Sequence, residues 1–346
     1  MKYLAVLGRQ PEISIAELEA TGFCTNIDRL GGTLKLAEEL TGRPIEYLQG
    51  LPEGKITLGV SDYSKKASRK TAAMEALKLK KILVRHGRSV RVVENKDATL
   101  STATSLHNGL SGKNERKVEL IKAEDEWYKV IGVQDIEAYA NRDQARPARD
   151  AKVGMLPPKL AQILINLCGP LKEGATVLDP FCGTGVVLQE ALLMGYRVYG
   201  TDINERMVEY SDKNLKHFDF NNYIVEVGDA TNFTWQQPID AVACEGYLGR
   251  PMSQVPAEIK LKTEKQECGA IVLGFLKNLA NQIKKDTPVV MAIPAWLREN
   301  GKYSRLEILD EIESLGYNVN NKSREGLLYY REGQIVARDI IILRKK

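Results

Sequence analysis

The stretch VLDPFCGTG, residues 177–185, decides the fold of this chain. It places an acid at the end of a predicted strand, then a glycine-rich turn, and then a helix that begins near Val186. Gly183 and Gly185 allow the backbone to pass close to a ligand, and the first N–H groups of a helix are free to bind one. Dinucleotide-binding folds use the same order of strand, turn and helix. The stretch therefore predicts a parallel α/β sheet with a ligand site at this turn.

The residues around the glycines favour S-adenosylmethionine over a dinucleotide as the ligand. In the dinucleotide fingerprint a third glycine would stand where this chain has Leu188. Asp179 precedes the turn, where a carboxylate would repel a pyrophosphate but accept hydrogen bonds from a cationic amino acid. S-adenosylmethionine has such an end and no phosphate. We expect this cofactor, with a nicotinamide dinucleotide as the open alternative.

Further acids follow the next two predicted strands. Asp202 ends the second strand and can accept hydrogen bonds from both ribose hydroxyls of a nucleoside, as an acid does there in nucleotide-binding folds. Asp229, between Gly228 and Ala230, follows the third strand and can accept from an adenine amino group. Each acid alone could be a turn-forming residue. Acids at three successive strand ends predict instead a ligand site at the carboxyl edge of the sheet.

Strand-like segments recur along the C-terminal part, with helical patterns between them. Their order predicts an open, mainly parallel sheet with helices on both faces and a hairpin around Glu332-Gly333 near the end of the chain. Strands and helices also alternate upstream, which predicts a small α/β or α+β domain there. The predicted C-terminal strands are residues 176–178, 197–201, 223–227, 239–243 and 288–293.

The fourth of these strands leads into Glu245-Gly246-Tyr247, a candidate reaction centre. One carboxylate can accept hydrogen bonds from both N1–H and the exocyclic N2 amine of guanine, which lie side by side. Tyr247 could stack on the base. Holding that amine in line with a sulfonium methyl group would be mainly a positioning effect. A surface turn is the alternative interpretation.

The charge of the chain is concentrated in one segment. The 346 residues include 49 Lys and Arg and 45 Asp and Glu, a formal net charge of +4. Residues 61–96 hold eleven basic and three acidic side chains, which gives +8 there and −4 in the rest. A basic helix face is typical of phosphate-backbone binding, and a solvated face is the alternative. In the predicted helix, residues 65–86, the apolar stripe is Ala72, Ala76, Leu79 and Leu83, and the basic face is Lys78, Lys81, Arg85 and Arg88. A second basic cluster is Arg142, Arg146, Arg149 and Lys152.

The remaining composition excludes several classes of protein. The five cysteines are scattered without a CxxC pair, and there are three histidines, so we expect neither a disulfide framework nor a metal site. The longest apolar runs are well below the ~18 residues that a membrane span needs. We therefore expect a cytoplasmic protein that uses neither a metal nor a membrane.

The motifs together resemble the THUMP-domain tRNA guanosine-N2 methyltransferases. The similarity lies in DPFCGTG at 179–185, Gly200-Thr201-Asp202 and Asp229, and extends to residues 7–20, 138–162 and 327–343. It implies a class I Rossmann-like methyltransferase sheet after an α+β region that contains a THUMP domain. The implied domains are 1–135 for RNA binding, 136–157 as linker and 158–346 for methyl transfer. The implied activity is methylation of a guanosine N2 in the tRNA core, with position 10 favoured.

The resemblance also assigns residues. Glu245 is implied as the catalytic acid, with Tyr247 as its aromatic neighbour. The implied cofactor residues are Asp179, Pro180, Phe181, Cys182, Gly183, Gly185, Asp202, Asp229 and Ala230. The residues expected to contact tRNA are Lys66, Lys70, Lys78, Lys81, Arg85, Arg88, Arg142, Arg146 and Arg149. Whether an activating subunit takes part is left open.

The reaction motif departs from the family pattern. The usual sequence is Asp or Asn, two prolines, then Tyr or Phe, whereas this chain has Glu245-Gly246-Tyr247-Leu248. A proline restricts the backbone angle φ, whereas the glycine at position 246 does not, so the sequence predicts a less pre-organised loop. Two alternatives follow: a tRNA-binding protein whose methyltransferase domain is catalytically impaired, and an amino-methyltransferase for another nucleic-acid base.

Overall fold

The computed structural model describes residues 2–149, 156–321 and 327–346, which form two compact units. The first unit consists of residues up to 9, residues 24–28 and residues 33–138. The second consists of residues 10–23, residues 29–32 and the described residues from 139 onward. The chain thus enters the second unit before it completes the first, whereas the sequence assigned residues 1–135 to one domain.

The strands are β1 (Tyr3–Leu7), β2 (Thr33–Glu39), β3 (Ile56–Asp62), β4 (Val90–Val92), β5 (Lys117–Ala123), β6 (Glu126–Val133), β7 (Thr176–Asp179), β8 (Arg197–Asp202), β9 (Tyr223–Val227), β10 (Ala241–Glu245), β11 (Pro288–Leu297), β12 (Tyr303–Arg305), β13 (Tyr317–Val319), β14 (Leu328–Tyr329) and β15 (Val336–Lys345). The helices are α1 (Pro11–Ala20), α2 (Pro44–Gln49), α3 (Arg69–Arg85), α4 (Thr102–His107), α5 (Ile136–Gln144), α6 (Pro158–Leu167), α7 (Val186–Leu193), α8 (Glu205–His217), α9 (Glu258–Leu279) and α10 (Leu309–Ser314).

The first unit is an α+β domain on a six-stranded sheet in the order β1-β2-β6-β5-β3-β4. Helix α3 begins after Ser68, whose hydroxyl accepts from Thr71 N, and it buries the apolar stripe predicted from the sequence. That stripe, Ala72, Ala76, Leu79 and Leu83, leaves the basic residues of α3 on the solvent side. The long hairpin β5-β6 was not among the predicted strands.

A mainly parallel sheet forms the second unit, as the sequence predicted. Strands β9-β8-β7-β10-β11 are parallel, and β15 lies antiparallel between β11 and β13. The predicted hairpin around Gly333 is present as the antiparallel pair β14-β15. Chain order reverses between β7 and β10, and ligands of such sheets bind at the carboxyl ends of the strands beside that reversal.

Both faces of this sheet are covered, because successive residues of a strand point to opposite sides. Val177 packs with α6 and α7 in one apolar cluster, while Leu178 packs with α9 in the other. On β10, Ala243 belongs to the first cluster and Val242 and Cys244 to the second. The central strands are therefore held rigidly from two sides, and so are the residues at their ends.

Helix α1 is anchored in the second unit by a buried carboxylate. Glu17 accepts hydrogen bonds from Gly31 N at 2.9 Å, Gly32 N at 2.8 Å and Asn166 Nδ2 at 2.8 Å. Burial raises the pKa of Glu17 to about 7, although these donors act in the opposite direction. This network explains why a segment so early in the chain packs with the C-terminal residues.

The predicted linker, residues 136–157, contains helix α5 and is thus partly regular. Its residues 150–155, including Lys152 of the second basic cluster, lie outside the described residues. Within the described chain, no helix combines the length and apolar character required to cross a membrane.

Candidate active site

A cavity of about 770 Å³ lies at the carboxyl edge of the parallel sheet in the second unit. Its walls come from the ends of β7, β8 and β10, the β9 exit and the turns that follow them. A volume of this size suits a cofactor-sized ligand. All four acids singled out in the sequence line it: Asp179, Asp202, Asp229 and Glu245.

Part of the glycine-rich turn lines the cavity: Gly183 and Thr184 are in its wall, whereas Gly185, also expected to bind the cofactor, is not. Gly183 and Gly185 have φ of +51° and +83°, which glycine adopts most readily. A side chain at Gly185 would also come within 2.9 Å of Ser211 Oγ. Helix α7 begins directly after Gly185 without a side-chain cap, so the dipole of its first turn favours negative charge nearby. Pro180, Phe181 and Cys182 line the cavity as well.

Asp179 is the deepest acid of the site. Its Oδ1 accepts a hydrogen bond from Phe181 N at 3.1 Å, and no Lys or Arg pairs with it among the residues that the structure describes. Burial raises the pKa of Asp179 well above its usual value, and the nearby charges of Asp202 and Glu245 raise it further. A buried acid without a cationic partner is suited to receive a cationic group from a ligand.

Asp202, at the end of β8, is hydrogen-bonded both to the glycine-rich turn after β7 and to the residues that follow β8. Its Oδ2 accepts from Gly183 N and its Oδ1 from Asn204 N, both at 2.9 Å. Burial raises the pKa of Asp202. Each carboxylate oxygen has a second lone pair, so both can still accept a hydroxyl from a ligand.

Asp229 forms a turn and also faces the cavity. Its Oδ1 accepts from Thr231 N at 2.9 Å and from Thr231 Oγ1 at 2.8 Å. Ala230 next to it is buried and lines the cavity too. The turn-forming and ligand-facing interpretations of this acid are therefore compatible.

Glu245 ends β10 and is paired with an arginine that the sequence analysis did not single out. Arg338 of β15 donates from Nε to Glu245 Oε1 at 2.7 Å, and both side chains are largely buried. A charged residue inside the apolar run of β15 is rarely buried unless it is paired, and that signal could have identified Arg338. Tyr247 lines the cavity and is 38% exposed, so its ring is accessible.

The cysteines next to the acids differ in position. Cys182 lines the cavity, as its implied role at the cofactor requires, whereas Cys244 is buried in the apolar cluster beneath α9 and does not line it. Burial raises the pKa of both thiols well above their usual value. Neither thiol is therefore suited to act as a nucleophile.

In the first unit, most residues of the predicted basic face are exposed. Lys78, Lys81 and Arg85 lie on the solvent side of α3, with Lys66 and Lys70 just before and at its start. Arg88 corrects the prediction: its guanidinium donates to the carbonyls of Leu51 and Pro52 at 2.9 Å and 2.6 Å. Two nitrogens of its guanidinium therefore hold the loop at residues 51 and 52.

In the second unit, two of the arginines expected at tRNA have structural contacts. Arg146 is a correction: its side chain is fully buried and donates to Thr184 Oγ1, in the glycine-rich turn, at 3.1 Å. Arg142 donates to buried Glu190 at 2.8 Å and stacks over Tyr139. Of the three arginines, Arg149 is the exposed one. No cluster of His, Cys, Asp and Glu suited to a metal ion occurs within the described residues.

Family models and curated relatives that match this chain are methyltransferases. A family model described as a methyltransferase domain matches residues 171–311, and one described as a DNA methylase matches residues 68–213. A tRNA (guanine(10)-N2)-dimethyltransferase from Methanothermobacter thermautotrophicus is 34% identical to this chain over 157 residues. The matched segment is 45% of this chain and 44% of that protein, so this chain spans less than half the length of that relative.

Two shorter relatives are covered more fully. A probable tRNA (guanine(10)-N2)-dimethyltransferase from Methanothermococcus thermolithotrophicus is 33% identical over 39% of this chain and 78% of that protein. A probable cobalt-precorrin-6B C(15)-methyltransferase from Pyrobaculum calidifontis is 33% identical over 41% of this chain and 77% of that protein. Methyltransferases with different named substrates thus share this domain.

Proposed function

Since this chain belongs to the family of the tRNA (guanine(10)-N2)-dimethyltransferases, we propose that it methylates the exocyclic N2 of a guanosine in tRNA with S-adenosylmethionine. The observation that carries the proposal is the shared cavity of Asp179 and Glu245. One acid is buried without a cationic partner among the described residues, and the other ends the neighbouring strand β10.

The residues of the cavity fit S-adenosylmethionine. Asp179 would accept from the α-amino group, Asp202 from the ribose hydroxyls and Asp229 from the adenine amino group. The walls include apolar side chains for the adenine, and of the two arginines in the lining, Arg206 and Arg250, the second pairs with Glu264 and Glu267. When bound, the cofactor supplies an electrophilic methyl group on a sulfonium.

Glu245 orients the guanosine in this proposal. Its second oxygen, Oε2, which accepts no hydrogen bond from the described residues, would accept one from the N2 amine and hold the nitrogen lone pair toward the methyl group. As the N–C bond forms and the S–C bond of the sulfonium breaks, the amine proton would pass to Oε2 and from there to water. Tyr247, at the rim of the cavity, would stack on the base. A positioned acceptor suffices because the attacking nitrogen needs alignment more than it needs a strong base.

The exposed basic face of α3 would bind the tRNA backbone. We assign this role to Lys66, Lys70, Lys78, Lys81 and Arg85, and we assign the first unit as the THUMP-containing region. Arg149 is the remaining candidate in the second unit. Phosphate contacts of this kind fix the position of the RNA and carry no sequence information.

Nucleoside mass spectrometry tests the proposal. Unmodified tRNA is incubated with the protein and S-adenosylmethionine, and the digest is searched for N2-methylguanosine and N2,N2-dimethylguanosine. Glu245→Gln is the matched variant, because it keeps the size of the side chain and removes its charge. Absence of methylated guanosine with the native chain, while tRNA and cofactor both bind, would reject the proposal.

The altered reaction motif supports a second candidate, a tRNA-binding protein that turns over weakly or not at all. It predicts that Glu245→Ala equals the native chain in cofactor binding, tRNA binding and methyl transfer. The match to the DNA methylase model supports a third candidate, methylation of another nucleic-acid base. Equal transfer to DNA and folded tRNA in the same assay would favour that one.

A further inference from the structure

The loop after Glu245 lacks the two prolines of the usual motif, yet it is fixed at several points. Gly246 N donates to Ala292 O on β11 at 3.0 Å, which continues the pairing of β10 by one residue. The remaining anchors are side chains of β15 and α9. The inference that follows rests on the function proposed above.

The first anchor is Arg338. Its backbone lies on β15, where it pairs with Pro294 of β11, so its side chain passes β11 to reach the end of β10. Nε donates to Glu245 Oε1 at 2.7 Å, and the exposed fractions of the two side chains are 8% and 18%. A buried, charge-assisted hydrogen bond of this length fixes the direction of the carboxylate.

The second anchor is Glu264 of α9, whose side chain is 1% exposed. Its Oε2 accepts from Arg250 N at 3.2 Å and its Oε1 from Arg250 Nη1 at 3.1 Å. Gly249 beside it has φ of +83°, and a Cβ there would come within 2.8 Å of Glu264 Oε2. The carboxylate of Glu264 thus occupies the space that a side chain at position 249 would need, and Gly249 leaves that space open.

We infer that Arg338 and Glu264 are positioning residues for methyl transfer, which together take the place of the missing proline pair. Arg338 holds one oxygen of Glu245, so that the other is presented to the target amine. Glu264 holds the far end of the loop, residues 249 and 250, and thereby the position of Tyr247. Neither residue lines the cavity.

The inference explains how a glutamate can serve where the family has a shorter acid. A longer side chain has one more rotatable bond, and an arginine bound at one oxygen removes the freedom that this bond adds. Lysine would not substitute for Arg338 fully, because its ammonium is a point charge without a planar Nε–H directed at the acceptor.

A double-mutant cycle tests the inference, with the single-turnover rate of methyl transfer to tRNA at saturating cofactor as readout. We expect Arg338→Met to lower the rate by about tenfold or more, since misorientation of reacting groups is costly. We expect the dissociation constant of S-adenosylmethionine to change by less than about twofold, because positioning of Glu245 does not contribute to cofactor binding. In the Glu245→Ala background, Arg338→Met should cause no further loss.

Additional variants separate positioning from folding. Arg338→Lys should recover part of the rate. Glu264→Gln, which keeps one acceptor oxygen, should be intermediate in rate with unchanged cofactor binding. Arg344→Met is the matched control, because Arg344 is on the same strand and donates to the carbonyls of Asp286 and Cys168, away from the cavity.

Two results overturn the inference, and they are distinguishable. If Arg338→Met lowers the rate equally in the native and Glu245→Ala backgrounds, or weakens cofactor binding as much as transfer, the role of Arg338 is structural. If the native chain itself transfers no methyl group to tRNA, the proposed function fails, and the inference fails with it.

Discussion

The backbone N–H of Gly183 donates to Oδ2 of Asp202 at 2.9 Å, so the acid that ends β8 holds the glycine-rich turn that follows β7. In the sequence, the glycine-rich turn and the acid at the end of β8 are separate motifs, and this hydrogen bond connects them. The same carboxylate lines the cavity.

Asp202→Ala should weaken binding of S-adenosylmethionine by about tenfold to a hundredfold, because hydrogen bonds to a charged group contribute about 1.5–3 kcal/mol each. Titration calorimetry measures this directly. Asp212→Asn is the control, since Asp212 is on α8 and pairs with Lys216 and Tyr223 outside the cavity. Unchanged cofactor affinity in Asp202→Ala would show that this acid does not bind the ribose.

Cofactor affinity should increase with pH above about 3.8, the ordinary pKa of an aspartate. Burial raises the pKa of Asp179, so between pH 3.8 and that raised pKa the carboxyl of the ligand-free protein holds a proton that it must release to accept a cationic amine. Binding should therefore release a proton, which calorimetry in buffers of different ionisation enthalpy detects. Asp179→Asn should bind the cofactor more weakly and without this proton release. A native affinity independent of pH would contradict the account.

The second unit should lose stability as the pH rises from about 4.5 to about 7, because burial raises the pKa of Glu17 to about 7. A raised folded-state pKa gives a contribution that is complete below the unfolded value of 4.5 and is lost as the pH passes the folded value. The difference corresponds to about 3 kcal/mol at most. Urea unfolding at several pH values gives the free energy of unfolding of the native chain and of Glu17→Gln, and the slopes of these free energies against pH are compared. Equal slopes would contradict the prediction.

Lys35 and Glu119 form a buried ion pair in the first unit, at 2.6 Å. Lys35 Nζ also donates to Leu100 O and Ser105 Oγ, which satisfies its three protons. Lys35→Met should therefore destabilise the first unit by about 3–5 kcal/mol, because it leaves Glu119 buried without a counter-charge. The double variant Lys35→Met, Glu119→Leu should cost less than the sum of its parts, as measured by urea unfolding. Additive effects would show that the pair is not coupled.

Reversing two charges on α3 tests the assigned RNA surface. Lys78→Glu combined with Lys81→Glu should weaken tRNA binding and reduce the slope of log K against log salt by about 1 for each lost phosphate contact. The matched control is Lys55→Glu combined with Lys113→Glu, two exposed lysines of the same unit outside α3. An equal loss in the control would mean that overall charge, and not this helix face, accounts for binding.

Residues at the ends of strands could be predicted well from the sequence. The apolar strands and the glycines at 183 and 185 have local signals, and parallel strands bring their carboxyl ends to one edge. Asp179, Asp202 and Glu245 could therefore be expected in one cavity. The buried stripe of α3 was predictable for the same reason, since helical spacing is local.

Contacts between distant residues could not be predicted in this way. Arg338 reaches Glu245 across 93 positions, and no local pattern indicates that pairing. Arg146 lies in an Arg-rich and Asp-rich segment that resembles a solvated linker, yet its side chain is buried against Thr184. The entry of α1 into the second unit depends on Glu17 and Asn166, which are 149 positions apart. Each of these contacts depends on tertiary packing.

The central claim is methyl transfer to the exocyclic N2 of a guanosine, with position 10 favoured by the names of the relatives. The most direct measurement uses two tRNA transcripts that differ in one base, guanosine or inosine at that position. Inosine lacks the N2 amine and keeps the rest of the purine. The account predicts transfer of radiolabel from S-adenosylmethionine to the guanosine transcript and none to the inosine transcript. Equal labelling of both transcripts, or none of either while tRNA and cofactor bind, would contradict it.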